Sequence, residues 1–431
     1  MNDSFSLADT LLTRLTTIGE PKDETKSRIF FIILACSLNP LLFHFLEIIN
    51  ASGFIFFAFF TIIISLVFFY VYSILFAACV NSRANRFEEI LNNYFHRMDR
   101  PIAFIVLLYC FGVMCLAQMS LVQTAKYACY SWNIEDYKPY VTGATLVVSG
   151  ICIVFFSRHQ EITRLNFLCF TNLGIWVLFT IALIFVFFYK FDDSIKSISQ
   201  PKFLNGKQKN IMDSAFLPVF YLLVILNCFQ SIPIVYKEMV ESSMTIHRSQ
   251  IYSNIRKPLF ISLVYSLLFG FLEYATYNPI MNSINESDLN YIIIAYTLTK
   301  PIMFILQITL IMFTARSSFI QTFFSQNYTL RSTENYIIII TMTILCALPS
   351  LFIYESEIKK PNQNKEEDFT RFSMTYYVIA FLSCLVGLCV PWSLMIRMHN
   401  HKAYEIVIFF LVSVGLVSSL FIANLDLVFS L

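Results

Sequence analysis

Apolar residues dominate long stretches of this chain, and short polar segments separate those stretches. A run of about 20 apolar residues can cross the hydrocarbon core of a bilayer as an α-helix. Such runs predict an all-α integral membrane protein with about 11 transmembrane helices. The predicted spans cover residues 29–49, 53–80, 101–129, 140–157, 165–189, 213–237, 258–277, 291–315, 335–354, 372–396 and 403–429.

Two of these spans are interrupted by polar residues and a proline near their midpoints. Span 1 contains Ser37-Leu38-Asn39-Pro40, and span 6 contains a similar segment from Asn227 to Pro233. Proline removes a backbone donor and disfavours the helical region for the residue before it, so each segment predicts a helix break. The two spans are an odd number of helices apart, so their halves of the chain cross the membrane in opposite directions. Interrupted helices at corresponding places in inverted halves indicate a transporter site.

Composition supports the membrane assignment and excludes a soluble protein. Hydrophobic residues make up 57% of the chain and charged residues 13%, whereas a soluble domain carries about 25% charged residues. The net charge of +2 and the lack of a long basic tract predict no nucleic-acid partner. The 11 cysteines lie mostly inside apolar runs, without metal-site or disulfide spacing, and no cofactor is predicted. Residues 1–28 predict a cytoplasmic tail with a short helix near residues 7–15.

Arginine is distributed unequally between the two faces of the predicted protein. Most arginines, such as Arg83, Arg158 and Arg316, fall on the side of the N-terminal tail. The positive-inside rule therefore predicts a cytoplasmic N-terminus and a C-terminus outside or in a lumen. Glycosylation sequons begin at Asn50 and Asn285, both on the predicted outer side. Between spans 2 and 3, apolar residues at helical spacing predict an interfacial helix within residues 81–100.

Other polar residues occur within the predicted spans. The glutamines Gln118 and Gln123 are placed to line a path through span 3. Three ionisable residues near span ends fit an interfacial position at least as well as a functional one: His44, Glu47 and Glu273. Two lysines near predicted outer ends are expected to snorkel: Lys126 and Lys300.

Several short motifs recur in a recognisable order along residues 28–330. They are Asn50-Ala51-Ser52-Gly53, Phe87-Glu88-Glu89-Ile90-Leu91, Phe156-Ser157-Arg158, Asn227-Cys228-Phe229-Gln230-Ser231-Ile232-Pro233 with Tyr236-Lys237-Glu238-Met239, and Thr314-Ala315-Arg316-Ser317-Ser318-Phe319. Because of the order and spacing of these motifs, the chain resembles the amino acid/auxin permease family. That family includes sodium-coupled neutral amino acid transporters and vacuolar amino acid transporters.

The resemblance implies a fold like that of the bacterial leucine transporter. Its five-plus-five inverted repeat would comprise residues 29–189 and 213–396, with an extra span at 403–429, in one multi-pass domain of residues 29–431. It also implies amino acid transport coupled to sodium or protons, in a plasma membrane or a vacuolar or lysosomal membrane. The chain departs from the family where Asn39-Pro40-Leu41 replaces a Gly-x-Gly break. Leu41 and Leu42 are expected to crowd a carboxylate that approaches the backbone there.

The predicted substrate site combines backbone and side-chain groups at the two breaks. Its residues are Ser37, Asn39, Leu41, Leu42, Gln118, Asn227, Phe229, Gln230 and Ser231. Half-helix N-termini at the breaks would present positive dipole ends to a carboxylate. The candidate ligands for a coupling ion are Ser37, Asn39, Gln307 and Thr309.

Two alternatives to transport remain open at this stage. A non-transporting nutrient sensor or membrane scaffold would keep the same fold, and the altered break in span 1 favours it. A membrane-embedded enzyme would need paired ionisable groups at one depth. The only such pair that the sequence suggests is His44 with Glu47, and an enzyme is not predicted.

Overall fold

Helices make up nearly all of the structure that can be described. The computed structural model describes residues 23–83, 87–95, 98–131, 138–158, 166–199, 211–229, 248–282, 287–324, 331–359, 378–398 and 406–416, and the single residues 232, 235, 236, 376 and 418. Among these residues, nine helices are long and apolar enough to cross a membrane. The protein is therefore an all-α, multi-pass membrane protein, as predicted.

Span 1 consists of three pieces: helix Asp23–Ser37, a 3-10 helix Pro40–His44 and helix Phe45–Ser52. The other spans are Phe54–Ser82 (span 2), Asp99–Ser131 (span 3), Lys138–Ser157 (span 4), Asn166–Tyr189 (span 5), Ile211–Ile225 (span 6, up to its break), Arg248–Asn282 (span 7), Ser287–Phe323 (span 8), Ser332–Lys359 (span 9), Val378–Met398 (span 10) and Ile406–Leu416 (span 11, as far as it is described).

A single glycine reverses the chain between spans 1 and 2. Gly53 has φ 84° and ψ 155°, a backbone conformation that residues with a Cβ rarely adopt. Its N–H donates to Ile49 O at 2.8 Å, and its carbonyl accepts from Phe57 N at 3.1 Å. Gly53 thus closes one helix and opens the next without a loop.

Burial divides the spans into central and peripheral helices. The apolar windows of spans 1, 8 and 3 are 78%, 72% and 61% buried, whereas those of spans 2 and 4 are only 28% and 22% buried. Spans 3 and 8 pack against each other along much of their length. The broken span 1 therefore lies inside the bundle, where other helices rather than lipid meet its backbone.

Two short helices connect the spans near the surface. Helix Phe87–Tyr94 forms within the predicted interfacial segment, and its Ile90 and Leu91 are buried against the ends of spans 2, 3 and 10. Helix Phe191–Ile198 follows span 5 and packs against span 7, between the predicted spans 5 and 6. The predicted tail helix near residues 7–15 lies outside the described residues.

Candidate functional site

The first break lies between Ser37 and Pro40, as predicted. Asn39 has an extended backbone, with φ −74° and ψ 132°. Its side-chain Oδ1 accepts a hydrogen bond from Leu41 N at 3.0 Å, which forms an Asx turn. Pro40 then occupies the first position of the 3-10 helix, where its missing N–H costs no hydrogen bond.

The carbonyl groups freed by this break are bound by one neighbouring helix. In span 5, Asn172 Nδ2 donates to Ala35 O at 3.3 Å, and one turn later Trp176 Nε1 donates to Leu38 O at 3.0 Å. The Ser37 hydroxyl donates to Leu34 O at 2.9 Å. Freed backbone groups at membrane depth must be satisfied by protein or water. Here side chains of span 5 satisfy two of them.

The second break also begins with an Asx turn. Span 6 loses its helical conformation after Ile225, and Asn227 Oδ1 accepts from Phe229 N at 3.2 Å. The same amide donates through Nδ2 to Ser383 Oγ of span 10 at 2.7 Å. Asn39 and Asn227 therefore perform the same local task in spans 1 and 6.

Three helices hold this second break in place. Tyr72 of span 2 donates to Leu226 O at 3.2 Å and accepts from Cys228 N at 2.6 Å. Tyr109 of span 3 donates to Asn227 O at 3.4 Å. In span 10, a π-helical segment Leu385–Cys389 lies against the break, and a Cβ added to Gly387 would come within 3.0 Å of Asn227 Nδ2. Isolated π-helical turns are frequent at functional sites.

Both breaks lie in the bundle interior. Cys36, in the last turn before the first break, and Cys228, within the second, are both buried. Side chains fill the surrounding space, because Leu41, Leu42 and Phe229 are all fully buried. The leucines that the sequence predicted to crowd this point are therefore packed around it. Gln230 and Ser231 lie outside the described residues.

The predicted glutamine and threonine ligands have different environments. Gln118 is buried and accepts from Ser149 Oγ of span 4 at 3.4 Å, whereas Gln123 is exposed. Thr309 donates to its own helix at Ile305 O, 2.8 Å away. The Gln307 Oε1 atom is buried with no hydrogen-bond partner among the described residues. The freed backbone groups of the breaks are held instead by Asn172 and Trp176 of span 5 and by the residues around Asn227.

A cluster of polar side chains that was not predicted from the sequence lies beside the second half of span 1. His44 is buried, with Nδ1 3.2 Å from Glu47 Oε2 and Nε2 2.9 Å from Ser120 Oγ of span 3. Lys300 Nζ of span 8 lies 3.9 Å from Glu273 Oε1 of span 7 and also interacts electrostatically with Glu47. We call these five residues the charged cluster.

The prediction that Lys300 snorkels was wrong. Its side chain is only 13% exposed and that of Glu273 only 2%, so the pair is inside the protein. Lys300 Nζ also lies 4.3 Å from the ring centroid of Phe43, a favourable cation–π distance. Phe43 in turn stacks on Trp176, with ring centroids 5.2 Å apart. This aromatic pair connects the charged cluster to the first break.

The Glu47 carboxylate is the accessible member of the cluster. Its side chain is 53% exposed, so the cluster reaches the protein surface at Glu47. No group of three or more His, Cys, Asp or Glu residues that could hold a metal ion occurs in the described part of the chain.

Comparison with known proteins gives structural neighbours but no sequence family. The sequence matches no protein-family model and no curated protein. The fold is similar to crystal structures of the manganese transporter from Eremococcus coleocola. One of these, in complex with an aromatic bis-isothiourea substituted compound, matches with a TM-score of 0.52 and 10% identity over 93% of each chain. A mutant form matches with a TM-score of 0.51 and 9% identity over the same shares. The chain therefore has the fold of a membrane transporter.

Proposed function

We propose that this protein is a secondary active transporter of amino acids or similar small solutes, coupled to sodium or protons. The observation that carries the proposal is the pair of Asn-built breaks in spans 1 and 6, both of which are buried in the bundle interior. The transporter fold of the structural neighbours supports the class of protein. The motif order described above supports membership of the amino acid/auxin permease family.

The Asx turns suggest how a substrate would bind. Each asparagine oxygen accepts a backbone N–H at the start of a half-helix, from Leu41 in span 1 and from Phe229 in span 6. A substrate carboxylate is a stronger acceptor for the same N–H groups, and the helix dipole favours its negative charge. Binding would then require the asparagine side chain to turn away. Without substrate, the side-chain oxygens of Asn39 and Asn227 would therefore occupy the acceptor positions that the substrate carboxylate takes when it binds.

Among the four predicted ligands for a coupling ion, Gln307 has a buried acceptor atom, Oε1, with no hydrogen-bond partner among the described residues. The hydroxyls of Ser37 and Thr309 are bound to backbone carbonyls of their own helices, and the Asn39 oxygen holds Leu41 N. A buried amide oxygen without a protein donor is a suitable ligand for a hard cation such as sodium. Rocking of one helix bundle against the other would complete the transport cycle.

A divalent metal is the contrasting substrate class, because the solved neighbours are manganese transporters. Manganese favours oxygen ligands such as carboxylates. The described residues of the two breaks offer the amides Asn39 and Asn227 but no carboxylate. The chemistry of the breaks therefore favours a small zwitterionic or polar solute over a divalent cation.

One observation favours a second candidate, a sensor or scaffold that does not transport. Leu41, Leu42 and Phe229 fill the space at the breaks, and side chains of neighbouring helices already hold the freed backbone groups. A packed pair of breaks of this kind would also suit a protein that keeps the fold but moves no solute. Uptake into proteoliposomes distinguishes the two candidates.

Thermal-shift measurements on purified protein would identify the ligand class. A ligand that binds only the folded state raises the melting temperature by mass action. We expect an amino acid to stabilise the protein, more strongly in buffer that contains the coupling ion. Manganese chloride in place of an amino acid should produce no comparable shift. Stabilisation by manganese alone would contradict the proposed substrate class, and binding without uptake would favour the sensor.

The proposed location is a plasma membrane or a vacuolar or lysosomal membrane, with the N-terminus in the cytoplasm. Protease protection of terminal tags tests this orientation, and both tags on one side would contradict it. Glycosylation at Asn285, which lies outside the described residues, or at Asn50 near the end of span 1, would mark the outer side. Asn285→Gln should then remove a mass shift.

A further inference from the structure

Helix Phe191–Ile198, which follows span 5, has three faces of different composition. The side chains of Ser194 and Ser197 are buried. Beside them around the helix, Phe191 and Ile195 are 47% and 42% exposed. The third face carries three exposed charged side chains: Asp192, Asp193 and Lys196. Successive residues of an α-helix are about 100° apart, so the three faces point about 110–130° away from one another.

This arrangement differs from that of a helix on the surface of a soluble protein, whose apolar face packs on the core. Helix Phe191–Ile198 packs against span 7, yet two serines lie on its buried face. Its large apolar side chains, Phe191 and Ile195, instead point away from the protein. Single exposed apolar residues are common on protein surfaces, so the surroundings of this face decide what it contacts.

The exposed apolar face continues the lipid-facing side of span 5. Exposed apolar residues recur at every third or fourth position from the middle of span 5 into the short helix: Val177, Ile181, Ile184, Phe188, Phe191 and Ile195. Residues at this spacing share one side of a helix. The helix is interrupted at Lys190, with φ −111° and ψ 43°. Across this interruption the rings of Phe187 and Phe191 remain in edge contact, with centroids 5.9 Å apart.

The length of span 5 places the short helix at the boundary of the membrane. Span 5 has 24 residues, and at 1.5 Å per residue it is about 36 Å long. The hydrocarbon core of a bilayer is about 30 Å thick, so the chain has crossed it when it reaches Lys190. Charged side chains are costly inside that core, so the charged face of the short helix must meet water.

We propose that helix Phe191–Ile198 is an interfacial helix that binds the lipid surface. Phe191 and Ile195 insert about 5–10 Å into the boundary between headgroups and acyl chains, as in other amphipathic interfacial helices. The charged face meets water, and the serine face is the buried one. The helix thereby attaches the part of span 7 on which it packs to the bilayer surface. This inference does not depend on the proposed transport function.

The charges of the helix indicate which lipid chemistry it recognises. Two aspartates and one lysine give a net charge of −1, and Asp193 pairs with Lys196 at 3.3 Å. Anionic lipids attract clusters of lysine and arginine, which this helix lacks. Binding therefore rests on apolar insertion. It should be the same in phosphatidylcholine membranes with and without phosphatidylserine.

Fluorescence quenching in the full-length protein, reconstituted in phosphatidylcholine vesicles, tests this position. A fluorescent amino acid replaces one residue at a time: Ile195 on the apolar face, Lys196 on the charged face, or Val177 in the middle of span 5. Lipids with a nitroxide near the headgroup should quench the probe at Ile195 several-fold more than iodide in the water on both sides. At Lys196 the order should reverse. At Val177, a nitroxide deep in the acyl chains should quench most.

Two results at Ile195 would overturn the proposal. Quenching by iodide but not by lipid nitroxides would place the apolar face in water. Protection from both quenchers would show that a second copy of the chain or another protein covers the face. Lipid quenching that appears only with phosphatidylserine would contradict apolar insertion.

Variants then test whether the apolar face is the anchor. With the probe at Ile195, Phe191→Ser should lower quenching by the headgroup nitroxide several-fold, because half of the inserted apolar surface is lost. Asp192→Ser is the matched control, since Asp192 is exposed on the charged face of the same helical turn. Melting temperatures of both variants should stay near that of the unmodified chain, because neither side chain is buried. Equal quenching in the two variants would overturn the role of the apolar face.

Discussion

At the first break, two side chains of a single helix bind the freed carbonyl groups, whereas at the second break the partners come from spans 2, 3 and 10. Both breaks begin with an asparagine that closes an Asx turn, with donor–acceptor distances of 3.0 Å and 3.2 Å. Their local geometry is therefore similar, and their attachment to the bundle differs. The side-chain hydrogen bonds to the freed carbonyl groups join the first break to span 5, while those at the second break join it to three helices.

This difference suggests unequal contributions to stability. Hydrogen bonds between membrane helices contribute about 0.6 kcal/mol on average and rarely more than about 1.7 kcal/mol. Asn227 contacts Phe229 N, Ser383 and Tyr72 through its side chain, whereas Asn39 has the contact with Leu41 N. Replacing the two asparagines in turn should therefore give different losses.

Asn227→Ala should have the largest effect. It removes the hydrogen bonds with Phe229 N and Ser383 and the polar contact with Tyr72, whose hydroxyl hydrogen goes to Leu226 O. Polar groups are left unpaired, so the free energy of unfolding should fall by about 2–3 kcal/mol. Reversible unfolding in mixed micelles measures this loss. Asn93→Ala is the control, since the Asn93 amide donates to Ser82 O at an exposed position. A loss at Asn227 no greater than at Asn39 would contradict the comparison.

Trp176→Phe should have the next largest effect, at the first break. The indole N–H that binds Leu38 O is lost while most of the aromatic surface remains, so unfolding should become easier by about 1–2 kcal/mol.

The matched control for this change is Trp392→Phe in span 10. The Trp392 Nε1 atom is buried and has no hydrogen-bond partner among the described residues. The control therefore loses similar surface without losing a bond to a carbonyl. Equal losses in the two variants would show that the Trp176 hydrogen bond adds nothing to stability.

Asn39→Ala should cost less than either change, about 0.6–1 kcal/mol, because one hydrogen bond is lost and Pro40 still fixes the backbone. The same unfolding measurement applies. A loss as large as that of Asn227→Ala would show that the Asx turn, rather than the surrounding helices, determines the stability of each break.

Both breaks were predictable from sequence because their signals are local. Proline and asparagine change the backbone at their own positions, and an apolar run makes such residues conspicuous. The partners were not predictable, since Trp176 and Ser383 lie 138 and 156 residues away from the groups that they bind. A tryptophan or serine within an apolar span gives no sign of which carbonyl or amide it will meet.

The charged cluster was missed for a different reason. Taken singly, Glu273 and Lys300 lie near the ends of their predicted spans, where snorkelling is the usual interpretation. Only the lateral packing of spans 7 and 8 against span 1 brings them to Glu47. One sequence feature could have indicated the pair: both residues lie toward the same predicted face of the membrane, on consecutive antiparallel helices. The pair His44 and Glu47 was visible as an i, i+3 spacing, but its contact with Ser120 of span 3 was not.

Pro40→Ala should have the smallest effect on stability. The new N–H would be one of the donors that a helix N-terminus leaves unpaired. Asn39, Asn172 and Trp176 would still hold the break. The free energy of unfolding should therefore change by less than about 0.5 kcal/mol. We expect transport to fall more than expression, because alanine permits the helix to continue through the break and so alters the proposed site. Uptake per folded molecule in proteoliposomes measures this effect, with Pro349→Ala in span 9 as the control for removal of a proline inside a helix. Unchanged uptake in Pro40→Ala would indicate that span 5, and not the proline, maintains the break during the cycle.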